Sequence, residues 1–127
     1  MRTRAVCIKI RQLEADIKRL RKKFPSVEAD VFFVQRLLEA GKTLPQTHKY
    51  PGFGNHEVFK TRVINTSLGN KGKSGGYRLI YEEVNSEPNN AIILVMLYGK
   101  NEYCNENKVK NEIGARLSNP DYPTFKR

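Results

Sequence analysis

The second half of the chain carries a recurring set of cations and tyrosines: Lys60, Arg62, Lys71, Lys73, Arg78, Tyr98, Lys100 and Tyr103. Such a set suits a bent chain of phosphates. Cutting RNA internally requires a 2′-hydroxyl to lose its proton and attack the adjacent phosphorus while the 5′-oxygen leaves. The pentavalent transition state carries added negative charge. Arginine forks hold phosphate oxygens in pairs and stay ionised, which fits them to that charge. A lysine crowded by other cations gives up its proton more readily and can serve as acid or base. Tyrosine can stack on a base or donate its hydroxyl. No metal and no other cofactor is expected: Cys7, Cys104, His48 and His56 follow no metal-ligand spacing.

These residues have to be positioned by strands. Residues 58–65 alternate, with Phe59, Thr61 and Val63 on one face and Lys60 and Arg62 on the other. Residues 77–81 form a second apolar run, which places Arg78 on a strand. Gly69, Gly72, Gly75 and Gly76 lie between them and supply turn backbone, with Lys71 and Lys73 in the same connection. No carboxylate follows on this stretch until Glu82 and Glu83. The triplet Gly72-Lys73-Ser74 imitates a nucleotide-binding loop, but Ser67 stands where that pattern needs a glycine, and strands flank it on both sides.

The balance of 23 Lys and Arg against 13 Asp and Glu gives +10, with a pI near 9.8. That excess points to nucleic acid or an acidic protein partner, and its clustering goes beyond what solubility requires. At 127 residues, 39% of them hydrophobic, one domain with its own core is expected. No apolar run approaches the roughly 20 residues that span a bilayer. The N-terminal MRTRAVCIKI is too interrupted for a signal peptide, so a cytoplasmic protein with two reduced thiols and no membrane contact is expected.

Along the chain, residues 5–10 alternate as a strand. Residues 11–24 then change to a helical period through Leu13, Ile17, Leu20 and Phe24, with Lys18, Arg19, Arg21, Lys22 and Lys23 as a solvated face. Pro25-Ser26 separates this helix from a second over 27–40, whose apolar stripe of Val27, Val31, Val34 and Leu38 is widened by Phe33 and Leu37. Residues 43–55 read as a loop. His48 and His56 could each act as acid or base near neutral pH, although a plain surface role is expected of both. The unbroken run AIILVMLY at 91–98 is a central strand buried on both faces. A short helix over 107–117, with Val109, Ile113 and Leu117, has few apolar anchors and is expected to detach at low cost. The tail 118–127 is expected to be flexible. The order β-α-α-β-β-β-α is an α+β fold: an N-terminal strand and helical hairpin packed on a curved, mainly antiparallel sheet, then a short C-terminal helix.

VFKTRV at 58–63, GKSGGYRLIY at 72–81 and LYGKNE at 97–102 together resemble the RelE/ParE superfamily of bacterial toxins from type II toxin–antitoxin systems, the RelE-like and HigB-like branches most closely. The resemblance covers residues 26–113. It implies a single RelE-like domain over 1–127 and a ribosome-dependent, metal-independent mRNA endoribonuclease that inhibits translation. Its partners would be a cognate antitoxin, mRNA and ribosomal RNA. Lys60 and Arg62 match the two basic strand positions of that family, and Arg78 matches the arginine of its GYR motif. Asn101 and Asn107 stand where RelE proper has a second arginine and a late tyrosine, so Lys100 and Tyr103 become the candidates to replace them. Lys71, Lys73 and Tyr98 complete the set as RNA-binding residues. The alternatives are a ParE-like inhibitor of DNA gyrase without catalysis and a degenerate homologue that only binds its antitoxin.

Overall fold

The apolar run AIILVMLY forms the middle of strand β5 (Asn90–Gly99), and every residue from Ala91 to Tyr98 is buried. A computed structural model describes residues 5–72, 75–85, 90–103 and 105–125 of the chain. Around β5 the chain builds β1 (Ala5–Lys9), α1 (Arg11–Arg21), α2 (Val27–Glu39), β2 (His48–Lys49), β3 (Glu57–Val63), β4 (Tyr77–Val84) and α3 (Glu106–Leu117). A 3-10 turn, Thr66–Lys71, leads from β3 toward β4. The fold is α+β, with one five-stranded sheet in the order β1-β5-β4-β3-β2. β1 runs parallel to β5 and the remaining pairs are antiparallel. The two-residue β2 lies inside what the sequence presents as a loop, since two residues are too few to show a period. No helix among the described residues is long and apolar enough to cross a membrane.

The helical hairpin packs on the sheet through the stripes its periodicity marks: Leu13, Ile17 and Leu20 on α1, and Val27, Val31, Val34 and Leu38 on α2. Phe33, expected to widen that stripe, is 64% exposed instead. It lies one position past Phe32, itself outside the buried arc.

β1 ends opposite Leu94, so the backbone of β5 beyond that point has no strand on that side. Side chains take the strand's place. The Asp16 carboxylate, 2% exposed, accepts from the Leu97 N–H at 3.0 Å and from both Arg116 Nη atoms, at 2.5 and 3.0 Å. Arg116 also donates to the Val95 carbonyl at 3.0 Å. That residue is the one skipped where the β4–β5 register slips between Ile80 and Tyr81. Arg19 donates to Asp16 at 2.9 Å, to the Leu97 carbonyl, and to both oxygens of Glu102. Burial alone would lower the Arg116 pKa, and its bonds from Asp16 and Glu112 outweigh this and raise it.

Two expectations change as a result. Arg19, although exposed, is tied by its guanidinium to Asp16, Glu102 and the Leu97 carbonyl and is not a free cation of that face. The last helix is held by a buried double ion pair as well as by Val109, Ile113 and Leu117, so its detachment is costly. The segment after it, expected to be flexible, is packed at Tyr122, which is 7% exposed. Cys7 donates weakly to the Gln35 carbonyl, while Cys104 lies outside the described residues.

Removing Asp16 would leave the buried Arg116 without its main counter-charge, take one partner from Arg19 and strand the Leu97 N–H. Asp16→Ala should therefore cost about 3–5 kcal/mol in urea unfolding. A loss below about 1 kcal/mol, the scale of an exposed pair, would show that the network does not hold the layers together.

Candidate active site

Cross-strand register decides which of the predicted residues meet. Arg62 pairs directly with Arg78, and Arg78 with Tyr98, so the three form one row across β3, β4 and β5. Lys60 sits in the next row of the same face, opposite Ile80 and beyond it Met96. This register depends on the turn. A Cβ on Gly76 would stand 2.3 Å from the Val63 carbonyl oxygen, so only glycine lets the strands begin their pairing there. Gly69 takes φ 57° within the connection, a conformation other residues adopt at a cost. The turn is tied to α2 by Asp30, which accepts from the Thr66 N–H at 3.1 Å, the Thr66 hydroxyl at 2.7 Å and the Ser26 hydroxyl at 2.7 Å. Tyr77 completes that anchor at 3.4 Å, its hydroxyl pKa pushed up to about 12 chiefly by burial.

The electrostatics of the row are unusual for a sheet. Like charges directly opposite repel, yet Arg62 and Arg78 meet no carboxylate among the described residues. Among the described residues the Arg78 guanidinium donates one hydrogen bond, to the Gly76 carbonyl at 2.7 Å. Burial first, and then the charge of Arg62, lower the Arg78 pKa. Beside them, Tyr98 is 4% exposed; among the described residues its buried hydroxyl has no hydrogen-bond partner of normal geometry, and Lys60 lies over its ring at 6.0 Å. Burial raises the Tyr98 pKa against the opposing charges of Lys60 and Arg78. Its ring is too deeply covered to stack on a base, which removes one of the two roles tyrosine offered there. The hydroxyl is buried as well.

Three residues that no spacing revealed complete the face. The Glu106 carboxylate, in the first turn of α3, accepts from Lys60 Nζ at 3.1 Å and from the Tyr50 hydroxyl. Lys60 and Lys110 both lie over the Tyr50 ring, at 5.6 and 5.7 Å from its centre. The bond from Tyr50 and the charge of Lys60 hold the Glu106 pKa below the usual carboxylate range, against burial. Tyr50 is raised by burial first and then by Glu106. The face therefore does carry a carboxylate, delivered from far along the chain where alternation on β3 and β4 could not show it.

The other candidates separate. Tyr103 packs edge-on against Tyr98 at 5.2 Å, behind the row. Burial raises the Tyr103 pKa, and the neighbours acting on it are Glu112, Asp16, Arg116 and Arg19. Its surroundings are thus the Asp16 network and not the arginine row. Lys100 is exposed just past the end of β5 and makes no hydrogen bond or ion pair among the described residues. Lys71 is exposed on the 3-10 turn at the same end of the sheet as Val63 and Tyr77. Lys73 lies outside the described residues. Of the predicted set, then, Lys60, Arg62, Arg78 and Tyr98 come together. Among the described residues no cluster of His, Cys, Asp and Glu has the makings of a metal site.

A depressed carboxylate pKa adds stability above the ordinary carboxylate value, and that stability is lost as pH falls through the folded value. The Glu106 contacts should therefore survive acidification through about pH 4.3, the ordinary glutamate value, and release Tyr50 below it. Tyr50 ring resonances followed by NMR would report this. Movement that is complete by about pH 5 would contradict the arrangement.

Neither a family model nor a curated protein matches this chain.

Proposed function

We propose that the chain is a RelE-like toxin: a ribosome-dependent endoribonuclease that cleaves mRNA and is silenced by a cognate antitoxin. The observation that carries this reading is the Arg62–Arg78 pair. Two guanidinium groups forced into direct register, with no carboxylate between them, are stabilised once an anion joins them. A phosphodiester fits the two forks with Lys60 in the next row, and the row lies along an otherwise basic chain.

In this reading Arg62 and Arg78 grip the non-bridging oxygens of the scissile phosphate and take up the added charge of the transition state. Lys60 neutralises the same oxygens from the next row. Glu106, ionised and paired with Lys60, accepts the proton of the 2′-hydroxyl as the O2′–P bond forms. Tyr50 and Lys110 hold Glu106 at that spot. The products are a 2′,3′-cyclic phosphate and a free 5′-hydroxyl. Lys100 and Tyr103 have no part in the chemical step as drawn here, which departs from the roles the family resemblance implies for them.

Arg78 leaves a half-buried face and contributes little to the core, so Arg78→Ala should fold and unfold like the parent chain. Its cleavage rate on programmed ribosomes should fall by about 10²–10³. Parental activity in a folded variant would remove Arg78 from the site. Binding supplies an independent check. Three phosphate contacts, from Lys60, Arg62 and Arg78, predict a log–log salt slope of about 2 for single-stranded RNA, reduced by somewhat under one unit in each alanine variant. A flat salt dependence would refute the face as a phosphate-binding surface.

A further inference from the structure

On the same sheet face, farther along β3 and β4 from the arginine row, Glu82 is fully buried. Its Oε2 lies 2.8 Å from His56 Nδ1, and its Oε1 accepts from the Tyr122 hydroxyl at 2.7 Å. The His56 and Tyr122 rings meet edge to face at 6.0 Å. Two donors aimed at the two oxygens of a buried carboxylate are the arrangement such a group requires. It assigns the His56 proton to Nδ1, because a carboxylate only accepts. Nε2 is left with no partner among the described residues, on a side chain that is 31% exposed.

A donor to Glu82 could have been an amide or a hydroxyl. What imidazole adds is a second nitrogen, held in one orientation and turned away from the carboxylate. Orienting an imidazole through one nitrogen so that the other can move a proton is the logic of a general acid or base. Its place supports that use. Glu82 pairs with Val58, which precedes Lys60 by two residues on the same face, about 7 Å along the strand. Arg62 and Arg78, then Lys60 with Glu106, then His56 thus follow one another along a single face.

We propose that His56 is the acid that protonates the leaving 5′-oxygen, oriented for that task by Glu82 and Tyr122; this rests on the ribonuclease reading above. The step balances as follows. The 2′-hydroxyl proton passes to Glu106 as the O2′–P bond forms. The P–O5′ bond breaks, and its electron pair takes the Nε2 proton of the imidazolium. His56 remains neutral, its Nδ1 proton still hydrogen-bonded to Glu82, and solvent restores both groups. Glu82 and Tyr122 are positioning residues. The adjacent Glu57 is paired with Lys49 at 2.8 Å.

The test is His56→Asn, which keeps an N–H for Glu82 and removes Nε2, assayed in single turnover on ribosomes carrying ordinary mRNA or mRNA with sulfur replacing the 5′-oxygen at the cut. Thiolate leaves without protonation. The proposal predicts a loss of about 10²–10⁴ on ordinary mRNA and near-parental rates on the sulfur substrate. Equal losses on both substrates would show a purely structural role, and parental rates on both would show no role; either overturns the proposal while leaving the ribonuclease reading standing. A parent chain that cleaves neither substrate refutes that reading and the proposal with it. Tyr122→Phe, which keeps the ring and removes one donor to Glu82, should show a smaller loss with the same sulfur rescue. It decides the matter if the asparagine variant does not fold.

Discussion

The buried Asp16 carboxylate is the contact on which the rest of the molecule depends. It stands where β1 runs out and β5 continues, so it replaces a missing strand for the Leu97 N–H. In the same place it ties α1 to α3 through Arg116. Without it the last helix would lose its buried ion pair and lean on Val109, Ile113 and Leu117, with Glu106 at its other end held by Lys60 and Tyr50. A structural ion pair thus supports the helix that carries a candidate catalytic carboxylate. Any antitoxin that works by displacing this helix has to break the pair, which makes binding across an intact face the less costly route.

The arginine row is the opposite case. Asp30 and Gly76 spend order in the β3–β4 connection to bring Arg62 and Arg78 into a register that repels. Cations opposite one another, and a buried hydroxyl with no hydrogen-bond partner among the described residues, both work against stability. Such features collect where a protein binds or reacts, because the missing partner is the ligand. The Asp16 network shows the contrast: it is equally charged, yet every group in it is matched.

Much of this was legible in the sequence because it depends on short-range periods. Leu13, Ile17 and Leu20 mark α1, the unbroken run to Tyr98 marks the central strand, and alternation along 58–63 places Lys60 with Arg62. The GYR motif puts Arg78 on the neighbouring strand, and antiparallel pairing does the rest. What could not be read arises from closure of the chain. Tyr50 sits in a loop, Glu106 in a helix with a weak stripe, and neither has a spacing relation to Lys60. Glu82 stood out only as the first carboxylate after the basic stretch, His56 read as a surface histidine and Tyr122 as part of a flexible tail, until the fold set them in contact. Arg19 was hidden for the same reason, since its neighbours Lys18 and Arg21 belong to an ordinary solvated run.

The central claim is that this face holds an RNA phosphate and directs the RNA's own 2′-hydroxyl at it. The most direct measurement uses programmed ribosomes carrying mRNA with a ribose or a 2′-deoxyribose at the cut site, and identifies the end of the upstream fragment. The account predicts a 2′,3′-cyclic phosphate from the ribose substrate, and binding without cleavage of the deoxy one, since only the nucleophile is gone. Cleavage of the deoxy substrate, or an upstream fragment ending in a free 3′-hydroxyl, would contradict it.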